Sequence, residues 1–164
     1  MSDILWLIAI NVFVIVVLSV LIGSTAPRWP VSWLAADRFP LTVLPFERHH
    51  HYRKFRVTSL RSRLPELGHI FGGESKSSLP GTDLASLDQY LVEVRRAEWV
   101  HILSCLTPLP LFFFNPSWLA LAFFLVVLFI NALFLIVLRH NRLRLLQVRK
   151  LQETRKQQRR LGDH

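Results

Sequence analysis

Residues 97–138 read A-E-W-V-H-I-L-S-C-L-T-P-L-P-L-F-F-F-N-P-S-W-L-A-L-A-F-F-L-V-V-L-F-I-N-A-L-F-L-I-V-L, and this stretch decides the fold. Two apolar runs, 97–114 and 118–138, are separated by Asn115-Pro116, a pair typical of a turn. At about 1.5 Å per residue, each run is close to the roughly 30 Å of a bilayer core. The stretch therefore predicts a transmembrane helical hairpin. Pro108 and Pro110 predict that the outer half of its first helix is kinked or broken.

A further apolar segment precedes this hairpin. Residues 4–22 contain no charged side chain, and as a helix they would be roughly 28 Å long. A cleaved signal peptide is the alternative, but no basic stretch precedes the segment and Pro27 follows the small residues 24–26. We therefore predict an all-α integral membrane protein with three transmembrane helices, one N-terminal span plus the C-terminal helical hairpin.

The basic residues predict how the chain is oriented. Of the 20 Lys and Arg, eleven lie between the first and second spans and nine follow the third. The positive-inside rule then predicts an outside N-terminus and a cytoplasmic C-terminus in the cytoplasmic (inner) membrane. Four parts follow from this pattern: an N-terminal transmembrane helix (1–23), a cytoplasmic basic and amphipathic region (24–96), the transmembrane hairpin (97–138) and a basic cytoplasmic tail (139–164).

The region 24–96 contains two segments with one apolar helical face. Apolar residues share a face around 52–64, which predicts a cytoplasmic interfacial helix, and the composition of 72–81 predicts a loop. From Leu84 onward, Leu87, Leu91 and Val94 predict a second amphipathic helix that runs into the second span.

Composition and motifs exclude several classes of function. A net charge of +9, next to spanning helices, indicates contact with anionic membrane lipid, and we predict no nucleic-acid partner. The single cysteine, Cys105, excludes an intrachain disulfide and a cysteine zinc cluster. The adjacent His49, His50 and His51 point in different directions on a helix and cannot all bind one ion, so we predict no metal site. The phosphate-binding loop, the dinucleotide fingerprint and the G-x-S-x-G motif are all missing from the sequence.

Polar residues in and beside the apolar runs are costly and therefore candidates for function. Glu98 and His101 are three apart on one helical face, so the carboxylate can orient the imidazole as a general base. The alternative is an ion network at the membrane edge that caps the hairpin. Positions equally far from Pro116 lie at similar depth in a hairpin, which places His101 opposite Asn131. The same distance from Pro116 places Glu93 and Arg96 near residues 139–142 of the other helix.

Three sequence blocks resemble those of glycosyl-4,4'-diaponeurosporenoate acyltransferases. They are P-F-E-R-H-H-H-Y-R-K-F-R-V (45–57), E-V-R-R-A-E-W-V-H (93–101) and I-N-A-L-F-L-I-V-L-R-H-N-R-L-R-L (130–145), and the resemblance covers about Phe39 to Leu146. It implies a membrane acyltransferase that moves a fatty acyl group from a thioester donor to a hydroxyl, on a sugar, of a membrane-resident glycosylated carotenoid or similar lipid. The donor is acyl-CoA or acyl carrier protein as cosubstrate, and no bound cofactor is expected.

We also predict roles for individual residues in the reaction that the resemblance implies. The expected catalytic residues are His101 as the base that deprotonates the acceptor, Glu98 as the group that orients it, and Asn131, or else Asn141, as the donor to the oxyanion. The expected substrate-binding residues, among them arginines that hold the phosphates of the acyl donor, are Glu47, His49, Tyr52, Glu93, Arg96, Arg139, His140, Asn141, Arg142 and Arg144.

Other functions and partners stay open at this point. The main alternative is a non-catalytic membrane module that binds anionic lipid or scaffolds a partner enzyme. A metal-dependent lipid oxidase is a further one. Three helices form a thin bundle, which favours a homo-oligomer or a partner enzyme of the same pathway.

Overall fold

The computed structural model describes residues 2–42 and 83–162. The regular elements of these two ranges are all helices, so the all-α prediction is confirmed there. They are α1 (Ser2–Thr25), α2 (Val31–Leu34), α3 (Leu84–Ser104) and α4 (Ser117–Gly162), with 3-10 helices at Ala26–Arg28 and Leu109–Phe113. The predicted interfacial helix around 52–64 and the predicted loop 72–81 lie outside the described residues.

Helix α1 ends where polar side chains accumulate. The hydroxyl groups of Ser24 and Thr25 donate to the carbonyls of Leu21 and Ile22 at 3.0 and 2.9 Å. These bonds satisfy carbonyl oxygens that the last helical turn leaves without an amide partner. The 3-10 helix begins at Ala26, and Pro27 lies in its first turn, where the missing amide donor of a proline is tolerated.

Two helices of the described ranges are long and apolar enough to cross a membrane, Ile4–Arg28 and Ser117–Leu161. In the most apolar 18-residue stretch of each helix, only 6% and 22% of the residues, respectively, are buried. A core helix of a soluble protein buries such side chains, whereas these face outward. Helix α3 is not one of the two, because Glu93 and Glu98 lie in its length together with arginines and it ends at Ser104. The predicted second span is therefore not confirmed.

Helix α3 begins at a capped position and ends before the prolines. The Asp83 carboxylate accepts from the Ser86 hydroxyl at 2.6 Å and from the Ser86 backbone amide at 3.2 Å, and these bonds lower the pKa of Asp83. The helix runs without interruption through Val94 to Ser104, as predicted. The 3-10 helix Leu109–Phe113 then replaces α-helix, so the predicted break at the prolines is also confirmed.

Helices α3 and α4 form the core of the described structure. They run antiparallel, and Leu87, Leu91 and Val94 of α3 pack against Leu138 and Leu145 of α4. Helix α4 continues for 46 residues, a length of about 69 Å at 1.5 Å per residue. This is more than twice the roughly 30 Å of a bilayer core. The basic tail therefore continues the apolar helix without a break.

A pair of asparagines joins α1 to the turn of the hairpin. The Asn11 side-chain amide donates to Asn115 Oδ1 at 3.0 Å, and the Asn115 amide donates to Asn11 Oδ1 at 2.9 Å. Asn11 is fully buried although the rest of α1 is mostly exposed. An amide facing hydrocarbon without a partner is costly, so each asparagine stabilises the other at this point.

We expect this asparagine pair to stabilise the packing of α1 on the hairpin. In a double-mutant cycle of Asn11→Ala and Asn115→Ala, the coupling free energy of unfolding should be on the order of 1 kcal/mol. Val12→Ala, at the adjacent exposed position, serves as the control and should show no coupling to Asn115→Ala. Additive effects of the two asparagine variants, measured by equilibrium unfolding in detergent, would contradict the assigned contact.

Candidate active site

Residues 30–42, which we call the strap, lie against α3 and α4. Leu34 and Leu41 anchor it, since each is only 1% exposed. Three arginines donate to its backbone carbonyls: Arg95 to Leu34 and Ala35 at 3.2 Å each, Arg139 to Pro40 and Thr42 at 3.4 and 2.6 Å, and Arg142 to Leu41 at 2.6 Å. A loop with buried carbonyls needs such donors, and both long helices supply them.

The Arg142 guanidinium lies at the centre of a buried ion network. It is 0% exposed. Its Nε donates to Glu98 Oε1 at 2.9 Å, and its Nη1 is 2.8 Å from Asp37 Oδ1. The same Asp37 oxygen accepts from Arg95 Nε at 2.7 Å. The network thus joins the strap, α3 and α4 through two carboxylates and two guanidinium groups.

His101 and Asn131 meet across the α3–α4 interface, as the distance from the turn predicts. His101 Nδ1 is 2.9 Å from Asn131 Oδ1, and the imidazole stacks on Phe134 with ring centroids 4.7 Å apart. Asn131 Nδ2 donates to the Val127 carbonyl at 2.9 Å, which fixes the orientation of the amide. Asn131 Oδ1 is therefore an acceptor and Nδ1 of His101 carries the proton. The basic lone pair then lies on Nε2.

The predicted contact between Glu98 and His101 is not formed. The partner of Glu98 is Arg142, and the partner of His101 Nδ1 is Asn131. Glu98 belongs to the ion network that the sequence allowed as the alternative. The reason is physical: a guanidinium within reach is a stronger partner for a buried carboxylate than a neutral imidazole on the same helix. Among the described residues, Asn131 is the one that holds Nδ1 of His101.

The remaining predicted residues fall into different surroundings. Glu93 and Arg96 pair with each other along α3. His140 is buried at 9% exposure, and Arg144 is exposed and makes no ion pair within the described ranges. Asn141 is partly exposed and lies ten residues beyond Asn131 on α4, about 15 Å along the axis. It therefore lies at a different depth along the hairpin from His101 and Asn131.

Two groups of predicted residues remain without a structural test of their roles. Glu47, His49 and Tyr52 lie outside the described residues. Arg139 and Arg142 direct their guanidinium groups to the strap and the ion network, which leaves Arg144 as the arginine of this set that faces solvent. Within residues 2–42 and 83–162, no group of three or more His, Cys, Asp or Glu is placed to hold a metal ion.

Sequence reasoning missed Asp37 and Arg95. A signal for Asp37 exists, because it is the single acidic residue between Ile4 and Phe46. A lone carboxylate in a segment next to arginine-rich helices is a candidate for a buried ion pair. Nothing in the sequence distinguishes Arg95 from Arg96, since only the packing decides which of the two faces the strap.

Comparison with known proteins identifies a family. A family model described as glycosyl-4,4'-diaponeurosporenoate acyltransferase matches residues 30–151. This range includes the strap, α3, the ion network and the His101–Asn131 pair. No curated protein matches the chain, and no solved structure matches it.

We expect Arg142 to be a major determinant of stability. Arg142→Ala leaves Glu98 buried without its cation, a change that costs about 3–5 kcal/mol of unfolding free energy. Arg144→Ala is the matched control two positions away. Because it removes an exposed guanidinium from the same helix, it should change the free energy by less than about 0.5 kcal/mol. Thermal or denaturant unfolding of both variants in detergent tests this, and equal losses would contradict the central place of Arg142.

Proposed function

Because the chain belongs to the glycosyl-4,4'-diaponeurosporenoate acyltransferase family, we propose that it transfers a fatty acyl group from a thioester donor to a sugar hydroxyl of a membrane-resident glycosylated carotenoid or a similar lipid. The family match carries this proposal, and it covers residues 30–151. The His101–Asn131 pair supports it, since the reaction needs a base for the acceptor hydroxyl.

The proposed base is Nε2 of His101. It takes the proton of the acceptor hydroxyl while that oxygen attacks the thioester carbonyl. The tetrahedral intermediate then expels the thiolate, the carbon–sulfur bond breaks, and the imidazolium returns its proton to the sulfur. The products are the ester and the free thiol. Asn131 holds the imidazole through Nδ1 during both steps, so that Nε2 is the atom that exchanges the proton.

The depth of His101 fits a lipid acceptor. Asn131 precedes the first arginine of α4, Arg139, by eight residues, about 12 Å along the axis. His101, the proposed base, lies beside the apolar part of α4 and not beside its charged tail. The apolar part of a lipid acceptor can be held beside this site, whereas a free sugar in water has no apolar part to hold it there.

The proposed enzyme lies in the cytoplasmic (inner) membrane with its N-terminus outside and its C-terminus in the cytoplasm. Support comes from the two apolar helices with outward-facing side chains and from the basic residues on one side of them. In this topology the strap, the ion network and the basic part of α4 face the cytoplasm, where acyl thioesters are made.

We expect His101→Ala to abolish acyl transfer without preventing membrane insertion. Lipid and pigment mass spectrometry of source cells with the gene intact, deleted and restored as His101→Ala measures this. Deletion should remove one class of ester and accumulate its unacylated acceptor, and the variant should not restore the ester. If the variant restores it, the base is another group such as His140 or His49. If no ester changes on deletion, the chain is better explained as a lipid-binding or scaffolding module.

We expect the role of Asn131 to depend on its acceptor oxygen. Asn131→Leu removes the partner of Nδ1 and should lower kcat at least tenfold, within the range that positioned acid–base groups contribute. Asn131→Asp keeps an acceptor at the same place and should retain more activity than the leucine variant. If both variants lose the same activity, Asn131 acts through packing and does not orient His101.

A further inference from the structure

The last turns of α4 carry a one-sided cluster of positive charge. Its members are exposed and occupy positions i, i+1, i+4 and i+5, which lie on one side of a helix. We call this the basic face, and it consists of Arg155, Lys156, Arg159 and Arg160. None of the four makes an ion pair within the part of the chain that the structure describes. The opposite side carries the neutral residues Thr154, Gln157, Gln158 and Leu161.

The basic face is too far from the membrane to serve lipid headgroups. Its first residue, Arg155, lies sixteen residues beyond Arg139, where the apolar part of α4 ends. This is about 24 Å along the axis, or about 18 Å perpendicular to the bilayer at a helix tilt of about 40°. The headgroup layer is only about 5–7 Å thick, and the Debye length at physiological salt is about 8 Å. Attraction to anionic lipid is therefore largely screened at Arg155 and weaker at Arg160.

The basic face is also too far from the base to hold a small donor. Arg155 lies 24 residues beyond Asn131 on the same unbroken helix, about 36 Å along its axis. Coenzyme A carries its phosphates and its thioester in one small molecule that does not reach across this distance. A carrier that is itself a protein can span this distance, since a small domain alone is about 30 Å wide. The charge and the distance together call for a soluble acidic protein.

We infer that the basic face docks an acidic carrier protein that brings the acyl thioester. This inference rests on the proposed function, and it selects the carrier protein over coenzyme A as the donor. The body of the carrier protein contacts Arg155, Lys156, Arg159 and Arg160 and lies along α4 toward the membrane. Its acyl-bearing arm then extends toward His101. Exposed charges of this kind act mainly on the encounter rate and on the salt dependence of binding.

Neutralisation of the basic face tests the docking. The full-length chain is reconstituted in nanodiscs, and all four residues are replaced by glutamine (Arg155→Gln, Lys156→Gln, Arg159→Gln, Arg160→Gln), which keeps the helix propensity close to that of Arg and Lys. The matched control exchanges Arg and Lys for one another at the same positions and keeps the charge. The probe is the purified acyl carrier protein of the source cell, loaded with a fatty acyl group and added at two salt concentrations.

The glutamine variant should raise both the Kd and the KM for the acyl carrier protein about tenfold or more, since four exposed contacts of modest strength are lost. The charge-preserving control should stay within about twofold of the unchanged protein. The KM for acyl-CoA should not change in either variant. An unchanged Kd for the carrier protein in the glutamine variant overturns the inference.

Separate readouts distinguish the docking from the reaction. If the unchanged chain binds the carrier protein through the basic face but moves no acyl group from any donor, the proposed function fails and the docking stands. If it transfers the acyl group and the glutamine variant does so with the same KM, the docking fails alone. The rate of trypsin cleavage at these four residues distinguishes a carrier protein from a lipid surface. Bound carrier protein should cover the basic face and slow the cleavage. Slowing by phosphatidylglycerol in the nanodisc instead overturns the inference in favour of the membrane.

Discussion

The described structure depends on one buried cation, the guanidinium of Arg142. Two charged carboxylates and a backbone carbonyl surround it, from Glu98, Asp37 and Leu41. Removing such a group from water is costly, and the cost is offset only when its hydrogen bonds are made together. Those bonds form only if the strap, α3 and α4 arrive in one arrangement. The network therefore fixes the register of the two long helices, and this register brings His101 opposite Asn131.

The choice of an amide to hold His101 has a chemical consequence. A carboxylate at this position would favour the charged imidazolium, which cannot accept a proton from the acceptor hydroxyl. The Asn131 oxygen fixes the same tautomer without adding charge to an apolar helix pair. The Glu98 carboxylate meanwhile accepts from Arg142. Structural stability and the proposed proton transfer are thus assigned to different polar groups on one pair of helices.

The sequence predicts the features that follow from local pattern and fails where packing chooses among partners. The apolar runs, the break before Pro108 and the His101–Asn131 contact could be predicted from spacing, because each depends on helix geometry and one turn. Helical spacing also brings Glu98 and His101 to one face, but it does not say which neighbour the carboxylate selects. The strap could not be predicted, since its contacts join residues far apart in the chain. The five charged residues of α3 also make it impossible to tell from the sequence whether that helix spans the membrane.

The unbroken helix α4 sets a fixed distance between Asn131, which holds the proposed base, and the basic face. A flexible linker of 24 residues would have an average end-to-end distance of about 27 Å with a wide spread, so a donor docked at its end would sample many positions. Helix α4 is unbroken from Ser117 to Gly162, and the same number of residues gives one distance and one direction. A rigid spacer keeps the effective concentration of a tethered group high only where its length matches the gap. In the proposed docking, the helix therefore favours a donor protein of one size class over small thioesters that arrive by free diffusion.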